Sequence, residues 1–198
     1  MREPILKALS WYQAIKLSDV DRKVVPTRDQ LQAKLNNIYS DFSSKVSEDD
    51  LVLLTAVVGE IGNNCFDHNL GQWRDIAGCW LDYGLSDQTA WVCVSDRGQG
   101  VFASLKNADP TLQNDQEALE TAFQKVISGR SPERRGNGLK FVRSIINGNK
   151  NRGLIFISGE GKVSFGGQAD FIYKFIAKNI QSYNSIGTFA VIVWREEK

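Results

Sequence analysis

The chain has little of what would mark a protein held together by metals, disulfides or a membrane. Its 198 residues include one histidine, one methionine, four prolines and three cysteines. Cys65, Cys79 and Cys93 are odd in number and form no CxxC pair. That argues against a disulfide framework and a structural zinc site. Their apolar neighbours make them small buried hydrophobes. The longest apolar run, 51–58, includes Thr55 and falls far short of the ~20 residues of a membrane span. The N-terminus shows no basic stretch followed by an apolar one, the mark of a secretory leader. A cytoplasmic protein without membrane contact is expected. An excess of one charge is lacking too. Twenty-four Lys and Arg face 23 Asp and Glu, a net charge of +1, so a chain built to coat nucleic acid is not expected. With 42% hydrophobic and 24% charged residues, the composition is that of a folded domain. It excludes a disordered tail, a collagen-like chain and a coiled coil.

Helical and extended patterns alternate irregularly along the chain. Residues 4–15 predict a short helix or an extended arm. After Pro26, Leu31, Leu35, Ile38 and Phe42 recur at helical spacing, with Thr27 placed to cap. Ser47 and the acids that follow it open a second helix, whose apolar positions run from Leu51 to Cys65. Strands are predicted over 75–83, 89–95, 154–158, 162–165 and 188–194, and helices over 116–128 and 139–147. Residues 169–182 read as either helix or strand. This order is no regular βαβ alternation. It predicts an α+β fold, a two-layer sandwich with helices on one face of a mixed sheet. The Rossmann glycine fingerprint and the Walker P-loop are both absent.

Four short segments carry candidate chemistry. On the second helix, Glu60, Asn64 and His68 are spaced i, i+4, i+8, with Asp67 beside them, so they stack along one stripe. The Asn64 carbonyl oxygen could ligate magnesium, and Glu60 could polarise a hydroxyl or water. A solvated helix face would show the same residues. Asp96-Arg-Gly-Gln-Gly100 follows the strand that ends at Ser95. Gly98 and Gly100 allow a tight turn, and Asp96 can accept from an exocyclic amine. Arg134-Arg-Gly-Asn-Gly-Leu139 precedes a helix. Free N–H groups there, with Arg130, Arg134 and Arg135, favour a bound phosphate. Thr188 opens the last strand, after Gly187.

Each segment alone is weak, but their order and spacing resemble the GHKL ATPase superfamily of gyrase, heat-shock chaperones, histidine kinases and mismatch-repair ATPases. The resemblance covers about residues 48–194. It implies the Bergerat ATP-binding fold over 47–198, a helical extension over 1–46, and a lid over about 102–135. It implies ATP and magnesium as ligands, with Asn64 holding the metal and Glu60 as general base. Asp96, Gly98, Gly100 and Thr188 would lie at the adenine. Asp67, His68, Arg130, Arg134, Arg135, Gly136, Asn137, Gly138 and Leu139 would complete the nucleotide site. The E-x3-N-x3-H spacing is most similar to the stand-alone anti-sigma-factor serine kinases. Arg97 and Gln99 depart from their turn, and 166–183 has no counterpart.

His68 is the sole histidine. If it lines the site, no histidine remains as phosphoacceptor, which disfavours an autophosphorylating histidine kinase. At 198 residues, there is also little room for the coupling domains of gyrase- and chaperone-type machines. The expected function is therefore regulation of a partner protein by phosphoryl transfer to Ser or Thr. The alternatives are an ATPase with a lid-coupled switch and a non-catalytic nucleotide sensor. A homodimer is a further expected partnership, with Trp11 as a candidate anchor for a partner or second copy. The near-zero total charge hides one local excess: residues 128–152 hold seven basic side chains and a single acid, Glu133. This block surrounds the glycines where a triphosphate would need countercharge; a nucleic-acid patch is the competing reading.

Overall fold

The computed structural model describes residues 1–15, 17, 21–69, 71–86, 88–124, 137–180 and 187–196. Helix α1 spans Arg2–Gln13, with Pro4 in the first turn, where its missing N–H costs nothing. The two-residue strand β1 (Val24–Val25) leads into α2 (Arg28–Phe42). Thr27 caps α2, its hydroxyl oxygen accepting from the Gln30 N–H at 3.3 Å. Helix α3 (Glu48–Asp67) is capped the same way by Ser47, and three acids fill its first turn, where they complement the helix dipole. The two helices touch through small residues: a Cβ on Gly62 would lie 2.8 Å from Leu31.

Strands β2 (Cys79–Ser86) and β3 (Thr89–Ser95) form a hairpin. Then come α4 (Gly100–Lys106), α5 (Asp115–Gln124) and α6 (Gly138–Ile146). A second hairpin, β4 (Arg152–Ser158) and β5 (Gly161–Phe165), is followed by α7 (Ala169–Ile176) and β6 (Thr188–Arg195). Residues 169–182, read from sequence as either helix or strand, thus supply α7. The short β1 and α4 escaped the sequence reading. Among the described residues no helix is long and apolar enough to cross a membrane.

The six strands make one sheet in the order β1-β2-β3-β6-β4-β5. Every ladder is antiparallel. The fold is α+β as expected, but the sheet is not mixed. Nor are the helices confined to one face. Side chains alternate across the sheet. Val92, Val94, Phe156, Ile192 and Trp194 point into a core shared with α2, α3, α5 and α6. Trp91, Cys93, Ile155, Val191 and Val193 point the other way, against Ile5, Leu9 and Tyr12 of α1 and Ile172 and Ile176 of α7. Trp11 belongs to this second core and is 6% exposed, so it is not available as an anchor for a partner or second copy. Of the segment expected as a lid, α5 is built into the main core by Leu119 and Phe123. Phe123 packs against Phe156 and Phe165. Residues 125–136 lie outside the described residues.

One side chain fastens α1 to the sheet. Arg97, just after β3, is 1% exposed. Its Nε and Nη2 donate to the two Asp75 oxygens at 2.8 Å each. Nη1 donates to the Trp11 and Tyr12 carbonyls at 2.8 and 3.2 Å, and Nη2 to that of Ala14 at 2.7 Å. The guanidinium thereby satisfies the free carbonyls at the C-terminus of α1. Its hydrogen bonds, aided by its charge, hold the Asp75 carboxyl below the ordinary carboxylate range. Replacing Asp75 with Ala leaves a buried cation without its counter-ion. We expect a loss of about 2–3 kcal/mol in urea unfolding, less than for a fully buried pair because Asp75 is partly exposed. The wild-type benefit should be complete above the ordinary aspartate pKa and fade as pH falls through the lowered folded value.

Candidate functional site

At the end of β3 the chain turns sharply at Asp96, which is 2% exposed. Its carboxylate is held from three elements. Oδ1 accepts from the Gly98 N–H at 2.7 Å and from Asn69 Nδ2 at 3.0 Å. The Thr188 hydroxyl, opening β6, donates to Oδ2. The Cys65 thiol of α3 lies close to this carboxylate and donates to the Ile61 carbonyl at 3.4 Å. Burial pushes the Asp96 pKa up, and these donors pull against it. Two sequence-predicted residues 92 positions apart, Asp96 and Thr188, thus share one hydrogen bond.

The turn is packed against the start of β6. Gly100 has φ +79° and Gly187 φ +101°, a region L side chains rarely enter. A Cβ on Gly187 would run into the Asp96 carbonyl. Ser158, at the end of β4, links the two strands and the turn. Its hydroxyl accepts from the Val101 N–H at 2.9 Å and donates to the Gly187 carbonyl at 3.1 Å. Gly98 is required by Asn69: a Cβ there would overlap the Asn69 carboxamide. Asn69 itself is 3% exposed. Its Nδ2 also donates to the Cys65 carbonyl at 2.7 Å, and its Oδ1 accepts from the Gln99 N–H at 3.1 Å.

The polar stripe of α3 divides between neighbours. Glu60 is exposed and Asn64 half-buried. The Glu60 carboxylate fills the space beside Gly138, where a Cβ would collide with it. The first turn of α6 and the expected base are therefore adjacent. His68 ends α3, its Nδ1 sharing a 2.9 Å hydrogen bond with the Ser104 hydroxyl of α4. Burial lowers its pKa, with the negative charge of Asp96 acting in opposition. Asp67 points instead to α2, where Arg28 Nη2 donates to it. Asn137 and Leu139 sit with Gly138 at the N-terminal end of α6. Arg130, Arg134, Arg135 and Gly136 lie outside the described residues. Of the basic block, Arg152 is used structurally. It stacks over Trp194 at 4.0 Å and donates to Asp50 of α3 at 2.9 Å. Arg143 likewise lies over Phe165.

Beside Glu60 opens a groove of about 500 Å³. It is lined by Leu35 and Tyr39 of α2, Val52, Gly59 and Glu60 of α3, and Phe141 of α6, among others. Val52 and Phe141 are both exposed there. Among the described residues, no group of three or more His, Cys, Asp or Glu could hold a metal. Asn64, with Glu60 one turn away, suits magnesium only as a partial ligand whose other positions go to phosphate oxygens and water.

Sequence reasoning missed Asn69, Ser158, Ser104 and the structural use of Arg97. None sits in a pattern of its own, and each is defined by a partner far along the chain.

No protein-family model matches the chain. A curated Kluyveromyces lactis protein, named Altered inheritance of mitochondria protein 23, mitochondrial, is 30% identical to it over 131 residues. The match covers 63% of this chain and 36% of that protein. The chain thus spans about a third of the length of this relative, whose name mentions no nucleotide.

Two expectations test the geometry. The single histidine gives one imidazole NMR titration, and its midpoint should fall below the ordinary value of about 6.5. A lowered histidine pKa favours the neutral folded form. Its stability contribution is complete above the ordinary pKa and declines as pH falls towards the folded value. Gly98→Ala should cost about 1–3 kcal/mol by overpacking against Asn69, and clearly less in an Asn69→Ala background. Equal costs in both backgrounds, measured by urea unfolding, would refute the contact.

Proposed function

We propose that the chain is an ATP- and magnesium-binding regulatory protein that phosphorylates Ser or Thr on a partner protein. The observation that carries this reading is the hydrogen-bonded network of Asp96, Gly98 and Thr188, with Gly100 packed near Ser158 and Gly187, and with Glu60 and the first turn of α6 adjacent. The resemblance to anti-sigma-factor kinases gives these groups their nucleotide and catalytic roles, and their closeness supports that reading.

In this reading Asp96 accepts a hydrogen bond from the adenine amino group, beside Thr188. The N–H groups that open α6 face the phosphates. Asn64 helps to hold magnesium, which neutralises charge on the phosphate oxygens. Glu60 takes the proton of a partner hydroxyl while that oxygen bonds to the γ-phosphorus and the bond to the β-phosphate oxygen breaks. The groove beside Glu60 favours transfer to a protein over transfer to water, because it offers apolar surface next to the base. Three free, buried cysteines fit a reducing compartment, and a cytoplasmic location belongs to the same proposal.

Calorimetry with magnesium and ATP tests the premise. Wild type should bind, and Asn64→Ala and Asp96→Asn should bind at least tenfold more weakly. No heat of binding at millimolar ATP would sink the assignment. Glu60→Ala should keep ATP affinity and lose label transfer from γ-labelled ATP to a co-purifying protein. Phosphate release without any partner would point to the ATPase alternative.

A further inference from the structure

We propose that Asn69 sets base selectivity at this site, by occupying Oδ1 of Asp96 and leaving Oδ2, beside Thr188, as the oxygen that meets an exocyclic amine. The inference rests on the nucleotide reading above and adds a residue that no sequence motif assigned.

The geometry is specific. Asn69 follows the end of α3, and both N–H donors of its amide are used. Nδ2 donates to Asp96 and to the Cys65 carbonyl, and Oδ1 accepts from the backbone of Gln99. The side chain is buried and cannot swing into solvent. It occupies the space that any side chain at position 98 would need. The Asp96 carboxylate is thus fixed in rotation, and the two oxygens become different. Oδ1 carries Gly98 and Asn69, which fills its lone pairs. Oδ2 carries the Thr188 hydroxyl, which can rotate.

The same contact also bears on protonation, beside those of Thr188 and Gly98. A carboxylate accepts only, so it suits the 6-amino group of adenine and repels the 6-oxo group of guanine. A protonated carboxyl would donate, and guanine would then be tolerated. Burial drives Asp96 towards that protonated form, and the Asn69 amide opposes it. The other groups facing the carboxylate are Thr188 from β6 and Cys65 from α3, with Cys79 of β2 beyond Cys65 and the His68 ring near enough to feel its charge. Arg97, though adjacent in sequence, directs its charge to Asp75 and α1.

The test measures Mg-ATP and Mg-GTP binding by calorimetry, together with the carbon-13 NMR titration of the Asp96 carboxyl. In Asn69→Ala the ATP-to-GTP affinity ratio should fall about tenfold, the worth of one hydrogen bond to a charged group. The fall should grow on acidification, and the Asp96 midpoint should rise. A ratio and a midpoint both equal to wild type overturn the role of Asn69 while ATP binding stands. A wild type that binds neither nucleotide removes the nucleotide reading and this inference with it. Should Asn69→Ala fail to fold, Asn69→Ser keeps a short polar group in the same space and should show a smaller change of the same sign.

Discussion

The Arg97 guanidinium is the constraint on which the other parts depend. It is a fully buried cation, and such a charge is tolerated only where its hydrogen-bonding capacity is met. Three backbone carbonyls of α1 and one carboxylate meet it here. Arg97 stands between Asp96 and Gly98, so the group that secures the first helix also sets the backbone of the turn. The turn orients Asp96, Asp96 engages Thr188, and Thr188 opens the central strand β6. Arg97 has a structural use of its own in this turn: the N-terminal helix is fastened through it.

Much of the fold was legible because its periodicities are local. Leu31, Leu35, Ile38 and Phe42 mark α2 in sequence and are buried in the structure. The caps Thr27 and Ser47 behave as their chemistry dictates. Strand direction is not local, and nothing in an alternating pattern separates a parallel neighbour from an antiparallel one. The second helical layer has a signal in β3. From Ala90 to Ser95 every residue is buried, and a strand apolar on both faces needs cover on both.

The site divides the same way. Glycines, Asp96 and Thr188 stand in recognisable spacings, since each answers to a requirement of its own backbone or its own chemistry. Asp67 shares their stripe but turns to Arg28, an arginine on another helix that a helical wheel cannot show. Asn69 lies next to the expected histidine and reads as a plain polar residue at a helix end. Its burial, its bonds to Asp96 and Gln99 and the closeness of Gly98 show that the side chain points inward.

The place of β6 in the sheet has a consequence for how the molecule assembles. The hairpins β2–β3 and β4–β5 close on themselves from neighbouring residues, yet neither pairs with the other. They are joined only when β6 slides between them and completes two ladders at once. The β3–β6 ladder closes a far longer stretch of chain than the β4–β6 ladder, and both must offset the entropy of that closure. Until then there is no sheet centre, no hydroxyl at Asp96 and no seat for the turn. The centre of the sheet and the candidate site therefore depend on the same strand, and any change that displaces β6 removes both together.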